Sequence, residues 1–236
     1  MNITIYNEFL HEQNNDTVKE IYPDGIHAVL KDYFKEDNVN IATLENHRAT
    51  LSDEVLNNTD VLIWWGHLAH DKVDDGIVDK IHNRVLDGMG LVVLHSGHMS
   101  KIFIKLMGTT CDLKWREGDD NERIWIIDAS HPITEGLDAY IDLEQEEMYG
   151  EQFDVPTPDE LLMVSWFKGG EVFRSGMTYK RGKGKIFYFR PGHETYPTYY
   201  HEEIKKVIQN ATKWAKPTQN FNRDFGNKAP LERGSK

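Results

Sequence analysis

The chain has a single cysteine, Cys111, in 236 residues. One thiol excludes an internal disulfide framework, so stability must come from buried apolar surface, which a chain of this length can supply. No uninterrupted apolar stretch reaches the roughly 18 residues that a membrane-crossing helix needs. Basic residues are also in short supply: 27 Lys and Arg against 39 Asp and Glu leave a formal net charge of -12. Such a field repels nucleic-acid phosphates and anionic membranes, which argues against both as partners and leaves a small molecule. Residues 1–14 lack the basic-then-apolar order of a secretory signal, and the expected compartment is the cytoplasm. Internal repeats are absent, and nothing calls for a second domain. The expectation is one domain over 1–217, compatible with a homo-oligomer, followed by a polar tail over 218–236 that is disordered or draped on the surface.

What is present is an alternation of strand and helix patterns through the first half, the sequence form of a parallel sheet built from βαβ units. Strands are predicted at Ile3–Tyr6, Val39–Leu44, Asp60–Trp65 and Gly90–Leu94. A helix is predicted from Val18 or Asp24 to Phe34, a short one after Ser52, one from Asp74 or Asp75, and one over Ser100–Met107. The pattern then becomes extended at Arg123–Ile127, Tyr140–Leu143, Leu161–Phe167, Val172–Tyr179 and Lys185–Phe189, with hairpin signals at Gly169-Gly170 and Arg181–Gly184. A helix over Glu202–Trp214 closes the fold.

Eleven histidines gather where these strands end: His67 and His70 after Val61–Trp65, His95 and His98 after Leu91–Leu94, and His193 after Lys185–Phe189. Ligands of open α/β sheets collect outside the carboxyl ends of the strands, so three strands deliver imidazoles to one rim. The turn His95-Ser-Gly-His98 has the form of a nucleophile elbow, but Ser96 lacks the flanking Gly frame of a serine hydrolase. Both histidines could equally serve only to satisfy backbone groups in a tight turn. His67 and His70, three residues apart with Asp71 adjacent, suit a metal if the loop begins a helical turn, though either could be a plain surface residue. In Arg190-Pro-Gly-His-Glu194 the Pro-Gly pair forces an abrupt turn that leaves an imidazole and a carboxylate together. The run Glu144–Glu151 reads by default as a solvated face, with Glu144 and Glu146 exposed and Glu147 the member that faces the rim. His11 and Glu12, past the first strand, form a further pair at the same edge.

Five ordered blocks, Ile63-Trp-Trp-Gly-His67, Leu94-His-Ser-Gly-His98, His131-Pro-Ile-Thr-Glu-Gly-Leu137, Glu146-Glu-Met-Tyr149 and Gly184–Glu194, resemble the ThuA-type trehalose utilisation proteins from about Ile3 to Pro217. The resemblance implies the fold of the class I glutamine amidotransferases: a flavodoxin-like parallel sheet with helices on both sides, here with extra β-hairpins in the second half. His95 stands where an amidotransferase carries its cysteine, and Cys111 lies beyond the following helix, so glutaminase activity is not expected. The resemblance further implies a part in disaccharide catabolism, on a sugar or keto-sugar supplied by a partner sugar dehydrogenase.

The expected protein is thus a metal-assisted hydrolase, lyase or isomerase of sugars, the alternative being a non-catalytic sugar-binding or regulatory protein on the same scaffold. The expected ligands of a divalent metal, zinc first, are His67, His95 and His193, with His11, Glu12 and His70 as alternatives. His95, His193, Glu194 and Glu147 are the expected catalytic groups. Trp65, Tyr149, Arg190 and His98 are the expected substrate contacts, and Trp64 and Trp166 are further sugar platforms.

Overall fold

In the computed structural model, which describes residues 1–219, 223–230 and 232, every strand joins one nine-stranded sheet. Strands β1 (Asn2–Asn7), β2 (Asn38–Thr43), β3 (Val61–Trp65) and β4 (Gly90–Leu94) pair in parallel in the order β2-β1-β3-β4, and β9 (Gly184–Phe189) adds to β4, also in parallel. This is the flavodoxin-like order, with the last strand of the chain taking the fifth place. Each residue of β3 and β4 is buried, as expected of apolar runs covered on both faces. Leu62, Trp64 and Val93 pack into one core, and Ile63, Trp65, Val92 and Leu94 into the other. The first core is covered by the helices Asp75–Leu86 and Lys101–Met107, the second by Ile26–Asp32 and Glu202–Ala215.

Beyond β9 the sheet turns antiparallel: β8 (Val172–Arg181), β7 (Glu160–Phe167), β5 (Lys114–Ile126) and, at the edge, β6 (Tyr140–Gly150). The predicted hairpins join β7 to β8 and β8 to β9. Two strands outrun their predicted limits. β5 starts at Lys114 rather than Arg123, and β6 runs through the acidic segment to Gly150 rather than stopping at Leu143. Glu146 is therefore fully buried, contrary to the expectation that it is exposed, because Arg190 meets it from β9's end. Glu144 is exposed as expected.

The single helix predicted before Phe34 is two, Asp16–Ile21 and Ile26–Asp32. Pro23 disfavours a helical Tyr22, and Gly25 takes a positive φ of 87°. Ser52, Asp74 and Ser100 cap their helices through side-chain oxygens, at the starts predicted for those helices. In the expected tail, Arg223 docks on the end of the Asp75–Leu86 helix, with Nε 2.5 Å from Asp87. Residues 220–222, 231 and 233–236 of that tail lie outside the described residues.

Candidate functional site

The carboxyl ends of four parallel strands build one rim. β1 releases the chain toward Glu8 and His11, β3 toward His67, β4 into His95, and β9 into Arg190–Glu194. His95 sits at φ +48°, a left-handed backbone that costs a non-glycine residue about 1–3 kcal/mol and concentrates at functional turns. Its imidazole is fully buried and donates from Nδ1 to the carbonyl of Arg190 at 2.8 Å, leaving the Nε2 lone pair pointed at the rim. Across the rim Gly192 holds φ +122°, and a Cβ there would lie 2.1 Å from the Tyr199 hydroxyl oxygen, so only glycine lets this turn pass. Trp65 Nε1 donates to the Gly192 carbonyl at 3.2 Å, and the Gly192 N–H donates to Glu146 at 3.0 Å.

Two groups of imidazole and carboxylate result. In the first, Glu194 Oε1 is 2.9 Å from His11 Nδ1 and 3.3 Å from His67 Nδ1, and the two nitrogens are 3.4 Å apart. An ion bound tetrahedrally with bonds of about 2.0–2.1 Å holds its ligand atoms about 3.3 Å apart, so this triangle matches one face of such a site. Glu8 fixes the His67 loop by accepting the consecutive N–H groups of His67, Leu68 and Ala69 at 2.9, 2.8 and 2.9 Å. Burial alone would lower the His67 pKa, but the Glu194 hydrogen bond and charge, with Glu147 and Glu8, outweigh it and raise it. Burial would likewise raise Glu194, yet hydrogen bonds from His11 and His67 hold it well below the usual carboxylate range.

The second group is deeper: His95 Nε2 lies 3.1 Å from Glu147 Oε2, and His193 Nε2 lies 3.9 Å from the same oxygen. Desolvation lowers the His95 pKa to about 4 and lowers that of His193, so both are neutral at pH 7. Burial raises Glu147, only partly offset by His193 and Arg190. His193 Nδ1 lies 2.7 Å from the Thr195 hydroxyl and accepts from the Thr195 backbone N–H at 3.3 Å; with the hydroxyl also donating, the proton of neutral His193 falls on Nε2. That Nε2, Glu147 Oε2 and Glu194 Oε2 are buried and form no hydrogen bond among the described residues. His193 Nε2 also lies 3.7 Å from Glu194 Oε1, joining the two groups.

Beneath them Arg190, fully buried, bonds Glu122, the carbonyl of Glu147 and, at 3.2 Å, Glu146. Burial pushes Glu122 up to about 7 against the pull of Arg190. Glu146 in turn accepts from Thr198, tying β6 to the turn that carries His193. The buried charged groups among the described residues are six carboxylates, Glu8, Glu12, Glu122, Glu146, Glu147 and Glu194, and one guanidinium. Part of that imbalance is met by protonation, since burial raises the carboxyls of Glu122 and Glu147.

Of the expected metal ligands, His67 falls in the first group and His95 and His193 in the second, so the predicted convergence on one rim takes the form of two adjoining sets. His11, an alternative, completes the first. Glu12 is turned to Asn7 and the N–H of Ile26, at 2.7 and 3.0 Å. His70, held near pKa 4 by burial, stands outside both groups. Trp65 and Arg190, expected to touch substrate, are fully buried and support the rim from below, and Trp64 is buried as well. Tyr149 stacks on His95, rings 5.0 Å apart, while His98 donates from Nδ1 to the Cys111 carbonyl at 2.8 Å. Both line a pocket of about 240 Å³ that opens from His67 and Glu147. Cys111 packs against Thr109, and burial pushes its thiol up to about 11. Sequence reasoning missed Glu8, Glu122 and the structural role of Glu146. Their only signal was position: Glu8 lies just past a parallel strand, and Glu122 and Glu146 lie within the antiparallel strands β5 and β6.

No helix among the described residues is long and apolar enough to cross a membrane. The fold is similar to that of a ThuA-like protein from Bacteroides uniformis, at 16% identity and TM-score 0.67 over 94% of each chain. A ThuA-like protein from Parabacteroides merdae gives 16% and 0.68, over 95% of this chain and 93% of that one. A glutamine amidotransferase from Thermotoga maritima gives 10% and 0.56, over 91% and 97%, which shows the shared scaffold. No curated protein matches the sequence. Residues 2–215 match the ThuA family, described as trehalose utilisation, and the chain belongs to that family.

Proposed function

We propose that the protein is a metal-assisted enzyme of disaccharide catabolism that moves protons on a keto-sugar. The observation that carries this reading is the triangle His11 Nδ1, His67 Nδ1 and Glu194 Oε1, with edges of 2.9 to 3.4 Å, set beside unpartnered polar atoms of Glu147 and His193. Two imidazoles and a carboxylate suit a divalent ion, zinc first, and the excess of buried carboxylates supplies the charge to hold it. When bound, such an ion polarises a sugar carbonyl or hydroxyl.

The remaining steps belong to the chain. Glu147, made more basic by burial, takes a proton from the carbon next to the carbonyl, and the neutral His95 at 3.1 Å shares that proton. His193 presents Nε2–H to the carbonyl oxygen on which negative charge gathers. Return of the proton to the neighbouring carbon gives an isomerase, and loss of the glycosidic oxygen from the β carbon gives a lyase. Both require a carbonyl, so an oxidation must precede this reaction, which supports a functional link to a sugar dehydrogenase. His95 in place of a thiolate, and Cys111 inert against Thr109, weigh against glutaminase chemistry.

The test is to load metal-stripped protein with zinc or manganese and follow a 3-keto-disaccharide by NMR in D2O. The expected result is deuterium incorporation next to the carbonyl or release of a monosaccharide, in wild type only. Metal-free wild type with no exchange under any loading would overturn the reading.

A further inference from the structure

From the pocket wall we infer a second sugar subsite, in which Trp115 receives the ring that does not react and so makes the enzyme selective for disaccharides over monosaccharides. The inference rests on the reading that the substrate is a sugar and deepens it.

Pockets that enclose a drug-sized ligand run from roughly 300 to 1,000 Å³. The pocket opening from His67, Glu147 and Tyr149 measures about 240 Å³, room for a single pyranose ring. Anything attached to that ring must leave through the mouth. Trp115 lines that mouth and is 62% exposed, the most open tryptophan of the described residues. Two features hold it there. It pairs directly with Tyr149 across the β5–β6 ladder, which puts both side chains on the same sheet face. One residue later the ladder breaks at Arg116, whose guanidinium is pinned by Asp120 at 3.0 Å and by Glu171 at 2.6 Å. The indole is thus presented on a braced strand end beside the reacting groups.

The polar surroundings suit a sugar. Asp112 and Glu117 line the same mouth, and their carboxylates have no hydrogen-bond or ion-pair partner among the described residues. His70 Nε2, buried in the wall, is likewise unpartnered. An aromatic plane receives the C–H face of a pyranose while free carboxylate oxygens accept from its hydroxyls. The other tryptophans cannot do this: Trp64 and Trp65 are buried, Trp214 packs on His131 from the Glu202–Ala215 helix, and Trp125 and Trp166 are cross-strand residues flanking Arg123 on β5 and β7, all outside the pocket lining.

The test uses trehalose, which has two rings and no carbonyl, and glucose, which has one. Each is titrated into the full chain by calorimetry, with tryptophan emission followed in parallel. Trehalose should bind wild type with a shift in emission, W115A should weaken it about tenfold or more, and W115F should stay within about threefold. Glucose should bind wild type and W115A within about threefold of each other. On a keto-disaccharide W115A should raise KM about tenfold with kcat within twofold, the split expected of a binding contact. Equal trehalose affinity in wild type and W115A, equal losses for glucose and trehalose, or no trehalose binding to wild type would each overturn the subsite. Trehalose binding through Trp115 by a protein that holds no metal and exchanges no proton would sink the enzymatic reading while upholding the subsite.

Discussion

The two imidazole–carboxylate groups are made of the same residue types, yet their geometry suits them to different work. His11, His67 and Glu194 stand at 2.9 to 3.4 Å, the spacing of atoms around a small ion. His95, His193 and Glu147 are looser, up to 3.9 Å for the contact between His193 and Glu147, whose facing atoms are buried without a hydrogen-bond partner among the described residues. The difference teaches that spacing and hydrogen-bond partners, not residue type, sort one set of imidazoles and carboxylates from another. The first group is read as ligands and the second as proton-transfer groups.

The sharpest way to break this comparison is to neutralise one carboxylate of each group. E147Q should lower turnover by about 10²–10⁴-fold while metal content stays at the wild-type level. E194Q should lose the metal, measured by elemental analysis after desalting. If E147Q also empties the protein of metal, the second group binds the ion as well and the division of labour is wrong.

Both groups rest on the same support, and removing it should collapse both. R190A leaves Glu122 and Glu146 without their buried cation and the Glu147 carbonyl without its donor, and a loss of about 3–5 kcal/mol is expected in urea denaturation. A loss under about 1 kcal/mol would show that the carboxylates hold one another through shared protons instead.

Glu8 sharpens the comparison, because it braces only the first group. E8Q keeps the shape but cannot accept all three N–H groups of the His67 loop, and metal affinity should fall about 10- to 100-fold. Exchange kinetics per bound metal should change much less. A variant with wild-type affinity would mean that the loop holds His67 without Glu8.

Acid should act in the same direction on several buried imidazoles. His95 and His98 have folded pKa values lowered to about 4 and about 3, and those of His27, His70 and His193 are lowered too, all mainly by desolvation. Below the unfolded value near 6.5 the unfolded chain binds protons that the folded chain refuses, so stability is full above pH 6.5 and falls as pH drops toward 4. His67 and the carboxyls of Glu122 and Glu147, all with raised pKa values, oppose this, three groups against five. Chelator-treated protein in urea should therefore lose about 1.4 kcal/mol per pH unit for each net proton. A flat profile between pH 6.5 and 4.5 would show that the second group is already protonated when folded. The smallest effect is expected of C111S, which should leave turnover within about twofold, since the thiol faces Thr109 and not the rim.

Much of the fold was legible because the parallel strands are continuous apolar runs and the helix starts carry capping side chains, both local signals. Placing imidazoles at strand ends followed from those runs, and so did the reading of His67, His95, His193, Glu147 and Glu194 as rim residues. Where the sequence misled, the cause was charge. A polar run such as Glu144–Glu151 looks solvated, and only the arrival of Arg190 from a strand far along the chain makes burying Glu146 tolerable. The sequence by itself determined the scaffold, the rim and the kinds of group on it, because hydrophobic periodicity and turn residues act over a few positions. Which histidine pairs with which carboxylate, which ring nitrogen keeps its proton, and that Trp65 supports while Trp115 faces outward were decided only by tertiary structure, because each depends on contacts between residues dozens of positions apart.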